Sequence, residues 1–380
     1  MRRVYAFFAT AAKGTEGALR DELKALRLPS VRADRGGVHF GGTLADGMKA
    51  CLWSRIAMRV LLNLGSFEAR GEAGLYDAVF AVPWEDHLTP RHTFAVHATV
   101  RSSELTHSHY VALRAKDAIV DRLRDRTGAR PSVDTQRPDV HVVVHLARDK
   151  AEIALDLSSE PLHRRGWRVE AGEAPLRETL AAAVLALGGY DPQKPFLDPM
   201  CGSGTFAIEA ALVARRIAPG RGRHFGFMRW PGFGDAEAAT FRALQEEAKA
   251  LALPKAPAPI LARDRFEEPL EFTHRNAERA GVRGSLELDL RDARDLAPLP
   301  EACQLFVNPP YGERIGGKRL QLEGLYRGFG EAYAPFAAEH PLVVLSGTPL
   351  FDRAFGLRPR WEHTLFNGPL EARLLRYGPR

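Results

Sequence analysis

The stretch that most constrains the fold is Pro195-Phe196-Leu197-Asp198-Pro199-Met200-Cys201-Gly202-Ser203-Gly204-Thr205. A short apolar run stops at an acid, a glycine loop follows, and the residues from Phe206 to Arg215 read as a helix. Strand, glycine loop and helix in succession let backbone N–H groups approach a ligand closely, because glycine carries no Cβ. The GxGxxG spacing of dinucleotide-binding proteins is not met. Asp198 would repel a pyrophosphate and attract an ammonium. That points away from NAD and toward a cationic cofactor such as S-adenosylmethionine.

The surrounding pattern is of α/β type. An alanine-rich helix from Leu176 to Leu187 precedes the loop. Ile260-Leu261-Ala262 reads as a strand ending near Asp264, followed by a helix from Glu267 to Ala280, a strand from Ser285 to Leu288, and then Asp292. An acid closing the second strand suits two ribose hydroxyls, and Asp292 suits an adenine amino group. A helix N-cap is the alternative for each lone aspartate.

A second stretch, Leu305-Phe306-Val307-Asn308-Pro309-Pro310-Tyr311-Gly312, reads as a buried strand that stops abruptly. Proline cannot donate to a sheet ladder and pushes the preceding residue out of helical space. Asn308 therefore sits at a strand end, where open α/β sheets bind ligands. The Asn308 side-chain oxygen and the Asn308 and Pro309 carbonyls can accept from an exocyclic amine, while Tyr311 lies on a planar ring. Ordinary turn punctuation is the alternative. Thr364-Leu365-Phe366, Asn367-Gly368 and Ala372 to Leu375 carry a hairpin signal. A parallel sheet closed by an antiparallel hairpin is the outline of a class I methyltransferase, with strand order 3-2-1-4-5-7-6.

The N-terminal half carries less chemistry. A first strand, a helix from Glu16 to Leu26, a turn and short strand at Gly36 to Phe40, a helix from Leu44 to Met58 and a strand from Val60 to Leu64 read as a small α/β lobe. From Thr93 to Leu157 come a half-buried strand (Thr93 to Arg101), a helix (Tyr110 to Arg126) closing at Gly128, and two more strands. With 380 residues, two or more domains are expected, and 45% hydrophobic with 26% charged residues excludes a largely disordered chain. The net charge of +6 is compatible with a nucleic-acid partner. Cys51, Cys201 and Cys303 form no CxxC pair, and His87, His92, His97, His107 and His109 lack ligand spacing, so no metal site is expected. Met1-Arg2-Arg3 and the short apolar run after it read as a first strand rather than a leader, and no run reaches membrane length. A cytoplasmic protein is expected.

Between the halves lies Leu162-His163-Arg164-Arg165-Gly166-Trp167-Arg168, ending at Ala171-Gly172-Glu173-Ala174-Pro175. Arg164, Arg165 and Arg168 around Trp167 suit phosphates and a base, or a solvated linker. The excursion Pro219 to Trp230, with Arg221 and Arg223 among aromatics, suits single-stranded RNA or an ordered insertion.

With D-P-M-C-G-S-G-T ahead of N-P-P-Y-G-E-R, the chain resembles the THUMP-containing RNA guanine-N2 methyltransferases, nearest the bacterial branch acting on 23S ribosomal RNA. The connector L-D-L-S-S-E-P-L-H-R-R-G-W-R, the helix A-P-L-R-E-T-L-A-A-A and the closing N-G-P-L are similar too. The resemblance implies a lobe over 1–43, a THUMP domain over 44–157, a linker over 158–175 and a Rossmann-like methyltransferase with a seven-stranded sheet over 176–380. It implies that Asp198, Pro199, Cys201, Gly202, Ser203, Gly204 and Thr205 line the methionine end of S-adenosylmethionine. Asp264 would take the ribose, Asp292 the adenine, and Asn308, Pro309, Pro310 and Tyr311 the target base, with Asn308 also near the cofactor. One departure from the family is that Arg263 and Arg265 bracket Asp264. The implied reaction is methyl transfer to guanine N2 in large-subunit ribosomal RNA. Transfer RNA, adenine N6 in DNA, and a non-catalytic RNA-binding role are the alternatives.

Overall fold

The computed structural model describes residues 3–168, 176–311 and 319–379. The connector end at Ala171 to Pro175 and the run Gly312 to Gly316 lie outside the described residues. The chain divides into two compact units.

The first unit comprises residues up to Thr10, Leu23–Leu162 and Gly222–Glu247. Its strands are β1 (Tyr5–Thr10), β2 (Arg32–Asp34), β3 (Gly37–Gly42), β4 (Arg59–Glu68), β5 (Thr93–Arg101), β6 (Ser132–Val133), β7 (Val140–Ala147) and β8 (Lys150–Asp156). They form one eight-stranded sheet in the order β2-β3-β1-β4-β8-β7-β5-β6. Helix α1 (Glu16–Ala25) follows β1, and α2 (Leu44–Trp53) starts where Asp46 accepts the Thr43 backbone N–H at 2.7 Å. The hydrophobic pattern of 65–92 is too weak to announce α3 (Gly71–Phe80), which buries Leu75, Ala78 and Val79. Helix α4 (Ser108–Thr127) buries Val111, Ala115, Ala118, Ile119 and Leu123, and Gly128 closes it at φ +75°.

The excursion after Pro219 joins this unit. Phe225 and Phe227 stack at 5.4 Å, and both meet Phe241 edge-on, all three buried. These rings are core and offer no face to a nucleotide.

The second unit holds Ala11–Glu22, His163–Arg221 and the chain from Ala248. Its elements are α5 (Glu178–Gly188), β9 (Phe196–Asp198), α6 (Thr205–Ala214), the last turn of α7 (Asp235–Leu251), β10 (Ile260–Asp264), α8 (Glu267–Arg279), β11 (Leu286–Leu290), β12 (Gln304–Val307), α9 (Arg319–Tyr333), β13 (Leu342–Ser346), α10 (Pro349–Ala354), β14 (Trp361–Asn367) and β15 (Leu370–Tyr377). The sheet order β11-β10-β9-β12-β13-β15-β14 is the expected 3-2-1-4-5-7-6, with β15 antiparallel to both neighbours. Successive residues of one strand enter opposite cores. Phe196, Phe306, Val343 and Leu345 pack with α5, α6 and α8, whereas Leu197, Leu305, Val307 and Val344 pack with α9 and α10. A sheet buried on both faces reads as continuous apolar runs, so the strands stand out in the sequence.

Candidate active site

The order of strands reverses between β9 and β12, which pair in parallel with Leu305 opposite Leu197. In such sheets the crevice beyond the carboxyl ends at that point is the ligand site. Asp198 ends β9, and Asn308 follows β12 directly.

Asp198 is buried, and its carboxylate accepts the Met200 backbone N–H at 3.2 Å. Burial pushes its carboxyl well above the usual carboxylate range, and the nearby Asp264 charge adds to the rise. A buried carboxylate this short of donors fits an ammonium.

The loop after it is held from below. The Cys201 N–H donates to the Arg263 carbonyl at 2.9 Å, the Thr273 hydroxyl to the Gly202 carbonyl at 2.8 Å, and the Asn276 amide to the Ser203 carbonyl at 3.1 Å. Gly204 sits at φ +82°, and a Cβ there would lie 2.7 Å from Thr273. Gly202, at φ +54°, faces open space, so its left-handed backbone is what glycine supplies there. Cys201 is buried beside this loop, with its thiol pushed up by burial.

Asp264 accepts the Gly202 N–H at 3.1 Å and the Phe266 N–H at 3.1 Å, one on each oxygen, leaving acceptor capacity on both for a diol. Of the two bracketing arginines, Arg265 draws the Asp264 carboxyl down by less than burial raises it. Arg263 turns away to the Leu296 carbonyl (3.0 Å) and Asp289 (3.1 Å), and Arg265 lies over the Phe266 ring at 4.5 Å. Burial instead raises the Asp264 carboxyl.

Asp292 differs from the simple acceptor expected of it. Arg294 chelates it through Nε at 2.9 Å and Nη2 at 2.7 Å, holding its carboxyl below the usual range. Asp292 lines a cleft of about 710 Å³ with Phe266, Leu290, Arg294, Gln321 and Leu325. Phe266 and Leu290 are 56% and 59% exposed, unusual for apolar side chains flanking one cleft, and suited to the faces of a planar ring. The aromatic two residues beyond the second strand's acid was the sequence signal for this wall.

The Asn308 side-chain oxygen is buried and has no hydrogen-bond partner among the described residues. Pro309 is buried, and the Pro310 carbonyl accepts from the buried Tyr326 hydroxyl, which anchors the turn. The Tyr311 ring packs so closely on Gly347 that a Cβ there would lie 2.6 Å from it, and the Asn367 amide donates to the Tyr311 hydroxyl at 3.4 Å. Asn367, read from the sequence only as a hairpin turn, thus reaches the site.

Of the arginines proposed as phosphate grips, Arg165, Arg168, Arg221 and Arg223 have partners within the protein, though only Arg165 is buried. Arg165 is buried and pairs with the fully buried Glu209 at 3.3 Å. Arg168 bonds to Glu178 at 2.7 Å, Trp167 is buried, Arg221 donates to the Ala280 carbonyl, and Arg223 donates to the Pro161 (3.3 Å) and Glu160 (3.1 Å) carbonyls. Arg164 is exposed. No group of three histidine, cysteine or acidic residues among the described residues is placed to hold a metal ion, and no helix among them is long and apolar enough to cross a membrane.

This sheet order, with its glycine loop and acids at successive strand ends, defines a class I methyltransferase. The chain belongs to the family of the RMKL-like methyltransferase domain, which matches residues 165–376, preceded by an RlmL ferredoxin-like domain at 6–61 and a THUMP domain at 69–156. It is 41% identical over 383 residues to the ribosomal RNA large subunit methyltransferase K/L of Syntrophotalea carbinolica, covering 98% of this chain and 53% of that protein. The chain therefore spans about half the length of the curated relatives it matches. Among solved structures, SMU.472, a methyltransferase complexed with SAH, is 31% identical with a TM-score of 0.90, covering 100% of both chains. A Listeria monocytogenes protein described as a predicted N6-adenine-specific DNA methylase is 30% identical with a TM-score of 0.89, covering 99% of this chain and 97% of that one.

Proposed function

We propose that this protein transfers a methyl group from S-adenosylmethionine to the exocyclic N2 amine of a guanine in 23S ribosomal RNA. The observation that carries this reading is the buried Asn308 oxygen at the end of β12, without a hydrogen-bond partner among the described residues and beside the strand that ends in Asp198. An acceptor left unmade in a buried position costs about 1–3 kcal/mol, and an amine donor relieves it.

When bound, S-adenosylmethionine supplies an electrophilic methyl group on a sulfonium. Asp198 holds the ammonium, Asp264 the ribose, and the Phe266–Leu290 cleft with Asp292 the adenine. The amine's lone pair is delocalised into the guanine ring, so the nitrogen is a weak nucleophile. Hydrogen bonds from its protons to the Asn308 oxygen and the Pro309 carbonyl favour the pyramidal, attacking nitrogen, and in-line positioning supplies much of the rate. As the N–C bond forms, the S–C bond of the sulfonium would break to leave S-adenosylhomocysteine, and the amine's extra proton would then pass to water. Tyr311, clamped by Gly347 and Asn367, gives the base a flat wall, and the base must be unpaired or flipped to reach it. The unit containing β1 to β8 is assigned RNA docking by shape.

The names of the large-subunit rRNA relatives favour ribosomal over transfer RNA, and a cytoplasmic site of action goes with that proposal. A DNA adenine methylase would share both motifs. The test is nucleoside mass mapping of ribosomal RNA from cells lacking the protein. Loss of one N2-methylguanosine in 23S RNA supports the proposal, and an unchanged map with loss of a tRNA or DNA methyl group would replace it.

A further inference from the structure

We infer that Arg168 is a positioning residue of the cofactor loop, an inference that rests on the proposed use of S-adenosylmethionine. One guanidinium reaches four groups in the second unit: the Glu178 carboxylate at 2.7 Å, the Ser203 hydroxyl at 3.1 Å, the Thr205 hydroxyl at 2.9 Å and the Leu176 carbonyl at 2.9 Å. Ser203 and Thr205 flank Gly204, the residue where loop becomes helix α6. Thr273 and Asn276 of α8 hold the loop's carbonyls, while Arg168 holds its hydroxyls. The loop is gripped by two elements at once.

The placement runs against simple electrostatics. A cation beside the start of α6 opposes the helix dipole. The buried Glu178, in the first turn of α5, compensates it. Arginine suits the task because its planar fork can serve two hydroxyls and a carboxylate together, which a lysine ammonium on a flexible stem does not pre-organise. With its side chain only 17% exposed and four partners engaged, Arg168 has little left to offer an RNA phosphate. Arg168 of the basic connector thereby acts on the cofactor loop.

The test uses the full chain and calorimetry with S-adenosylhomocysteine, alongside RNA binding and thermal melting. Arg168→Lys and the double variant Ser203→Ala with Thr205→Val are expected to weaken S-adenosylhomocysteine binding tenfold or more with RNA affinity unchanged. The double variant leaves the Arg168–Glu178 pair intact, so it reports on the loop even where Arg168→Lys melts early. Thr205→Ser, which keeps the hydroxyl, is expected to bind within threefold of the parent. In Arg168→Lys the KM for S-adenosylmethionine is expected to rise by more than single-turnover transfer at saturating cofactor falls, as an effect on binding rather than on chemistry requires. Unchanged S-adenosylhomocysteine affinity in both Arg168→Lys and the double variant overturns the inference, as does a loss confined to RNA affinity. A parent protein that binds no S-adenosylhomocysteine at all sinks the cofactor reading itself, whereas equal binding by parent and variants sinks only the role of Arg168.

Discussion

Replacing Asn308 with alanine separates chemistry from folding. In the free protein its side-chain oxygen is buried with no partner among the described residues, a state that costs about 1–3 kcal/mol. Removing the amide relieves that cost and adds no bulk, so the variant is expected to melt no lower than the parent. On the proposed mechanism the same oxygen accepts, in the transition state, from an amine that is becoming pyramidal. Loss of such a directed bond in a water-poor site costs about 2–4 kcal/mol, or about one and a half to three decades in rate. The assay is single-turnover methyl transfer with cofactor and RNA both saturating, which removes binding from the readout. A slow but stable Asn308→Ala protein is the expected result. A variant that transfers at the parent rate would make Asn308-Pro309-Pro310-Tyr311 a structural turn and refute the reasoning.

Other outcomes follow from the same geometry. Asp198→Asn keeps the acceptor for the Met200 N–H but removes the charge, and is expected to weaken cofactor binding about ten- to hundredfold by calorimetry. Because burial raises the Asp198 carboxyl, the folded protein holds a proton that the unfolded chain has released. Stability without cofactor should therefore fall as pH rises from the ordinary carboxylate range through the elevated value. Cofactor binding should release a proton and weaken as pH falls through that same value, which binding enthalpies in two buffers would show. Arg165→Met removes the guanidinium paired with the buried Glu209 and is expected to cost about 3–5 kcal/mol in denaturant unfolding, whereas a change confined to RNA affinity would return Arg165 to the phosphate-gripping role. A fragment of residues 176–380 leaves Phe225, Phe227 and Phe241 without the β-sheet unit they pack in, so it is expected to aggregate unless those rings are replaced, and a monodisperse fragment by light scattering would contradict this.

Much of the second unit was legible because its strands are buried on both faces. Phe196-Leu197-Asp198 and Leu305-Phe306-Val307-Asn308 are apolar runs that end at polar groups, so the same short stretches announce both the sheet and its functional edge. The clamp on Tyr311 was not legible, since Asn367 lies 56 residues away and reaches the ring only through the pairing of β14 with β15. Arg294 escaped notice because an arginine two residues after an acid has no periodic signature, although it decides how free Asp292 is. The aromatic excursion misled for a physical reason. Aromatics interleaved with arginines look alike whether they stack on bases or on one another, and only burial distinguishes Phe225 and Phe227 as core. The connector arginines misled similarly, because a guanidinium suits a phosphate and a buried carboxylate equally well, and it was Glu209 and Glu178 that claimed Arg165 and Arg168.

The central claim is tested most directly by incubating the purified full chain with isotopically labelled S-adenosylmethionine and, in parallel, unmethylated 23S RNA, transfer RNA and double-stranded DNA, then digesting each to nucleosides for mass spectrometry. Label in N2-methylguanosine from 23S RNA alone, abolished in the Asn308→Ala protein under the same conditions, is the predicted result. Label in N6-methyladenine from DNA, or at any position other than guanine N2, would contradict the account.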